Sequence, residues 1–101
     1  MDEALGVRTP HALSAAGLTF EEFFEAHRDR LFSALWLVCR DRHEAEEVSQ
    51  DAFLKLWERW EAIRGLENPE GYLFRTALNL YRNRRRRAAL ALRDEIGEDD
   101  A

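Results

Sequence analysis

The chain has 101 residues, 46% of them apolar, with 5 Gly, 2 Pro and a single Cys, enough for one compact domain with a modest core. No apolar run approaches the ~20 residues of a membrane-spanning helix and nothing resembles a secretory leader, so no membrane contact and a cytoplasmic location are expected. The formal net charge of −5 is unevenly spread: residues 71 to 93 hold 7 Arg and no acid, against 15 acids and 8 Lys/Arg in residues 1 to 70 and 5 acids in residues 94 to 101, an asymmetry that suggests two different partners, one of them polyanionic.

Residues 1 to 17 mix Gly, Ala, Ser, Thr and Pro without periodicity and are expected to form a mobile tail. Folding starts at Leu18. Thr19 and Glu22 have the spacing of a capping box, and Leu18 can staple onto Phe23. Phe20, Phe23, Phe24, His27, Leu31, Ala34, Leu35 and Val38 then recur at steps of three and four, the core stripe of a first helix. His27, at the margin of that stripe, reads as a satisfied core or boundary histidine rather than a ligand. Cys39 has no partner for a disulfide and follows the apolar run from Leu35 to Val38, so it is expected to be a small buried hydrophobe.

Asp41 and Glu44 repeat the capping-box spacing and predict a second helix from near Arg42 to near Ala62, antiparallel to the first across a very short turn. Its core stripe is Ala45, Val48, Ala52, Leu56, Trp60 and Ile63, widened by Phe53 and Trp57. A loop of Ile63, Arg64, Gly65, Leu66, Glu67 and Asn68 follows. Asn68 and Pro69 form a cap and first-position pair for a third helix running to about Leu92, with Leu73, Phe74, Ala77, Leu78, Leu80 and Tyr81 on its apolar side. The expected fold is all-α, a three-helix bundle over residues 18 to 93. Residues 94 to 101 read as an acidic linker or frayed end.

Catalytic signatures are missing: there is no P-loop, no dinucleotide glycine pattern and no nucleophile elbow. His43 and Glu47 stand one helical turn apart, and a surface pair is the better reading than a metal site lacking a third ligand. No enzyme, cofactor or metal is expected.

Two surfaces call for partners. On the second helix Glu47, Gln50, Asp51 and Leu54 fall at i, i+3, i+4 and i+7, an acidic-polar stripe that suits docking on a partner helix. By pattern alone a solvated face is the simpler reading, and Leu54 is the residue it explains least well. On the third helix Arg75, Asn79, Arg82, Asn83 and Arg86 form a polar ridge opposite the core. Guanidiniums fork onto phosphates and asparagine amides can pair with base edges. The preceding loop, with Tyr72 and Phe74 just beyond it, adds surface on which an unstacked base could sit, core packing being the competing role for both aromatics.

Two blocks, Ala45-Glu46-Glu47-Val48-Ser49-Gln50-Asp51-Ala52-Phe53-Leu54-Lys55-Leu56-Trp57 and Gly71-Tyr72-Leu73-Phe74-Arg75-Thr76-Ala77-Leu78-Asn79 followed by arginines, in this order and with this loop between them, resemble region 2 of the extracytoplasmic-function (ECF) group of bacterial sigma factors. The resemblance runs from Leu18 to about Arg87. It implies that Glu47, Gln50, Asp51 and Leu54 bind the clamp helices of the largest subunit of core RNA polymerase. It also implies that residues 63 to 68 act as the loop that captures a base flipped from the non-template single strand of the minus-ten promoter element. Asn79 would lie near that pocket and the arginines would hold phosphates. Tyr72 stands where many members have tryptophan, and Asn83 where aspartate is common. A complete member carries a second, helix-turn-helix domain, and the sequence stops before one could begin, so an excised piece is expected rather than a natural fragment or a degenerate member. The alternative function is a helical interaction module for an anti-sigma factor or other adaptor, without DNA recognition of its own.

Overall fold

The computed structural model describes residues 17 to 97; most of the N-terminal tail and the last four residues lie outside them. Three long helices, α1 (Phe20–Cys39), α2 (Arg42–Glu58) and α4 (Pro69–Leu92), pack together, with a single turn, α3 (Trp60–Ile63), between the last two. Among the described residues there is no strand, and the expected all-α bundle is what forms.

The helix starts follow from their caps. Thr19 makes both halves of its capping box, each at 3.1 Å: Thr19 Oγ1 accepts from Glu22 N–H, and Glu22 Oε1 accepts from Thr19 N–H. Asp41 makes only one half, accepting from Glu44 N at 3.1 Å, because the Glu44 carboxylate is turned to Arg84 instead. Asn68 Oδ1 accepts from Gly71 N at 2.9 Å. A Cβ on Gly71 would stand 2.5 Å from Asn68 Nδ2, so glycine leaves the room in which this cap folds back over the first turn. Between α1 and α2 the chain reverses through Arg40, in the left-handed region at φ 57°, whose N–H donates to Trp36 O at 2.9 Å. That position favours glycine, and arginine holds it here.

The second helix ends four residues earlier than its periodicity predicts. Arg59 leaves helical geometry (φ −125°, ψ 27°) and α3 restarts at Trp60. The break accompanies the fixing of Trp60, whose Nε1 donates to Leu18 O at 3.2 Å and whose ring meets Phe23 and Phe20 at 5.0 and 5.8 Å. With Phe24 against Phe53 at 4.8 Å, these aromatic pairs join the start of α1 to the end of α2. Each pair adds about 0.5–1.5 kcal/mol beyond the area it buries.

Phe23, Leu31, Leu35, Ala45, Val48, Ala52, Phe53, Leu56, Trp60, Ile63, Leu73 and Ala77 form the core. Of the other residues expected in it, Phe20, Phe24, Phe74, Leu80 and Tyr81 are half-buried against it, Ala34 is half-buried, and three are exposed. Val38, Leu78 and Trp57 are 47%, 36% and 57% exposed, because each sits beyond the edge of the strip that its neighbouring helices cover. Cys39 is only half-buried, packed against the core margin, and burial pushes its thiol pKa up, with Glu44 and Asp41 adding to the shift. His27 sits at the boundary, as expected, its ring 4.4 Å from Phe23, but it is not the satisfied histidine expected, since its buried Nδ1, 3.5 Å from Glu70 Oε2, makes no hydrogen bond. Helix α4 outruns the bundle, since every residue from Arg85 to Ile96 is exposed, and the chain continues helically through a π-type turn at Arg93–Gly97 rather than fraying at Asp94.

Candidate nucleic-acid and protein interfaces

Leu73 and Ala77 face the core and fix the rotation of α4, so the opposite side must face solvent. Arg75, Asn79, Arg82, Asn83 and Arg86 are all exposed there. Within the ridge, Asn79 Oδ1 accepts from Arg82 Nη1 at 3.5 Å and Asn83 Oδ1 from Arg86 Nη2 at 3.0 Å. These lateral bonds alternate amides with guanidiniums along an open face. Arg85, to one side of the ridge, lies over Tyr81, 5.8 Å from its ring centroid.

The connector before this helix differs from the expected loop at its start. Ile63 closes α3 and is 3% exposed, so it is a core residue and offers nothing to a ligand. Arg64 is half-buried and lies 3.9 Å from Glu61. Arg64 N to Trp60 O, Gly65 N to Ala62 O and Leu66 N to Ile63 O, at 2.8, 3.3 and 3.0 Å, keep the chain coiled, which leaves Gly65, Leu66, Glu67 and Asn68 as the exposed part.

The two aromatics are half-buried against the core, so neither is a free-standing stacking platform. They also part company around α4. Tyr72 shares the side of Asn79, seven residues on, whereas Phe74 lines a shallow open cavity of about 370 Å³ with Arg30, Ala34, Asn68, Glu70 and Gly71. Asn79 is not among the residues lining that cavity.

On α2, Gln50, Asp51 and Leu54 are exposed, Leu54 by 53%, and Glu47 is half-buried. Trp57 continues this stripe one turn further on. Its placement was missed because its spacing also fits the margin of the core face, and only the packing decides which neighbour covers it. Asp51 and Leu54 share an open cleft with Leu80, Asn83 and Arg87, where the stripe on α2 meets the flank of the ridge on α4.

Sequence reasoning also missed Arg84, which the periodicity of α4 places on the side facing α2. Its Nη2 lies 2.6 Å from Glu47 Oε1, its Nε 3.4 Å from Glu44 Oε2 and its Nη1 3.9 Å from Asp51 Oδ2. The other oxygen of Glu47 is 3.1 Å from His43 Nε2. The hydrogen bond from Arg84, with the nearby imidazole, holds the Glu47 carboxyl below the usual carboxylate range. No cluster of three or more metal-ligating side chains occurs among the described residues, and none of their helices is long and apolar enough to cross a membrane.

A comparison with protein families matches residues 23–90 to the sigma-70 region 2 family. Searches of curated proteins and of solved structures returned no match. The match takes in all of α2, α3 and the connector and most of α1 and α4, including both surfaces described above. With two thirds of its length so matched, the chain belongs to the sigma-70 region 2 family, a non-enzymatic family whose general role is binding core RNA polymerase and melting promoter DNA.

Proposed function

We propose that this domain is the promoter-recognition module of an ECF-type sigma factor. It docks on the clamp helices of core polymerase through Glu47, Gln50, Asp51 and Leu54, which brings α4 and the connector along the opening promoter. Recognition rather than catalysis is its work. The observation that carries this reading is the ridge of Arg75, Asn79, Arg82, Asn83 and Arg86, continuous, exposed and free of acids. Its guanidiniums bind backbone phosphates, which sets strength and orientation but carries no sequence information.

Discrimination comes from Gly65 to Asn68 and the cavity beside Phe74, where a base flipped from the non-template strand is held. Asn79 meets the strand next to that base rather than enclosing it. Arg64 and Tyr72 flank the path. The ECF assignment rests on the two sequence blocks, on the short α1–α2 turn and on the connector length.

The test is binding of the domain to a single-stranded minus-ten segment, alone and with core polymerase, across a salt series. With ~4 phosphates engaged, log affinity against log salt should have a slope of about −3, and removing two contacts should bring it to about −1.5. If Arg82→Ala with Arg86→Ala changed neither affinity nor slope, the phosphate role would be wrong. If the wild-type domain captured an anti-sigma factor but no polymerase, the adaptor reading would replace this one.

A further inference from the structure

Helix α4 has support along only part of its length. Leu73 and Ala77 are buried, Leu80 and Tyr81 are half-buried, and from Arg85 onward every described side chain up to Ile96 is exposed. Arg84 is the last half-buried side chain among the described residues of α4, Arg87 beyond it only lining the open cleft beside Asp51 and Leu54, and it meets the bundle through carboxylates on α2 rather than through apolar packing. An isolated surface ion pair contributes little. Here one half-buried guanidinium meets Glu47 at 2.6 Å, Glu44 at 3.4 Å and Asp51 at 3.9 Å, a network whose geometry fixes both the distance and the rotation of α4 where its support ends.

Glu47 is spoken for on both oxygens, by Arg84 and by His43, whereas Gln50 and Leu54 have no such engagement and Asp51 is only loosely held. We infer that Arg84 and Glu47 form a brace that aims the far half of the basic helix. Arg84 is then a positioning residue: it binds no phosphate itself and sets where Arg86 meets one. The inference rests on the proposed DNA-binding role of the ridge and gives Glu47 a second task beside its place in the docking stripe.

Two measurements on the full chain test it. In single-strand binding, Arg84→Gln should weaken affinity roughly threefold, and Arg86→Ala should then cost much less than it does in the wild type. Arg75→Ala, on the supported half, should cost the same in both backgrounds, since distant independent sites add. Equal, additive effects of Arg86→Ala in both backgrounds would overturn the brace, because a simple loss of charge predicts them.

In amide exchange, Arg84→Gln should lower the protection of residues 85 to 92 below that of wild type, and Arg84→Lys, which keeps the charge but not the fork, should fall between them. Failure of the wild type to bind DNA or polymerase would instead overturn the proposed function, leaving an amide-exchange comparison of residues 85 to 92 in wild type and Arg84→Gln as the readout. There, unchanged protection would refute the brace.

Discussion

The indole N–H of Trp60 donates to the carbonyl oxygen of Leu18 at 3.2 Å, joining residues 42 positions apart. Leu18 is the residue before the N-cap of α1, and Trp60 is the first residue after the break that ends α2, so one bond fixes where the chain enters the bundle and where it turns toward the connector. Trp60→Phe keeps most of the ring packing and forfeits the bond, and should cost about 1 kcal/mol in urea denaturation. Trp60→Ala should cost about 3–5 kcal/mol. Equal losses for both would mean that the bond, not the ring, carries the contact.

Leu54 and Trp57, 53% and 57% exposed, extend the docking stripe with apolar surface that the bundle does not use. Leu54→Glu and Trp57→Ala should each leave the melting free energy within about 0.5 kcal/mol of wild type. Each should weaken polymerase binding by about 2 kcal/mol or more if it is a central anchor. Titration against core enzyme, paired with thermal denaturation, separates the two quantities.

Ile63 and Leu66 stand three residues apart in what reads as one loop, yet the first is buried and the second largely exposed. Ile63→Ala should cost about 2 kcal/mol or more of stability. Leu66→Ala should cost about 0.5 kcal/mol or less, and its effect should fall on discrimination between minus-ten and scrambled single strands. A reversed pattern would return Ile63 to the recognition surface.

His27 gives the fold a pH dependence with a definite sign. Its side chain is 17% exposed and its buried Nδ1 makes no hydrogen bond, and burial lowers its pKa below the ordinary 6.5 despite the opposing pull of Glu70, with Arg30 adding to the lowering. Glu70 Oε2 is itself held by Arg30 at 2.8 Å, and Phe23 covers the ring. Because the folded pKa lies below the unfolded one, folding favours neutral imidazole. Stability is therefore full above about pH 6.5 and declines as pH falls through that value toward the folded pKa. Denaturation midpoints from pH 8 to 5 should show the decline in wild type and lose it in His27→Gln.

Much of the fold was legible because the signals are local. The capping residues Thr19, Asp41 and Asn68 and the start at Pro69 mark the helix beginnings that form. The ridge on α4 was legible for the same reason, since Leu73 and Ala77 fix which side faces out. What escaped depends on contacts between elements. Nothing in the order of residues says that Glu44 abandons half of its capping box for Arg84, 40 positions away. Trp57 and Trp60 look alike by spacing, and only the carbonyl of Leu18 distinguishes the anchored ring from the open one. Arg40 carries no glycine-like signal, so its left-handed backbone could not be read from its identity.

Beyond residue 84 of α4 every described side chain up to Ile96 is exposed, Arg87 lining only an open cleft beside α2, so the helicity of this stretch rests mainly on its own composition. Arginine, alanine and leucine are strong helix formers, which favours the extension, but guanidiniums at 82, 85 and 86, within one turn of each other, repel. A polyanion laid along them removes that repulsion. Circular dichroism should then register a gain in ellipticity when an oligonucleotide is added at low ionic strength, fading as added salt does the same work without it.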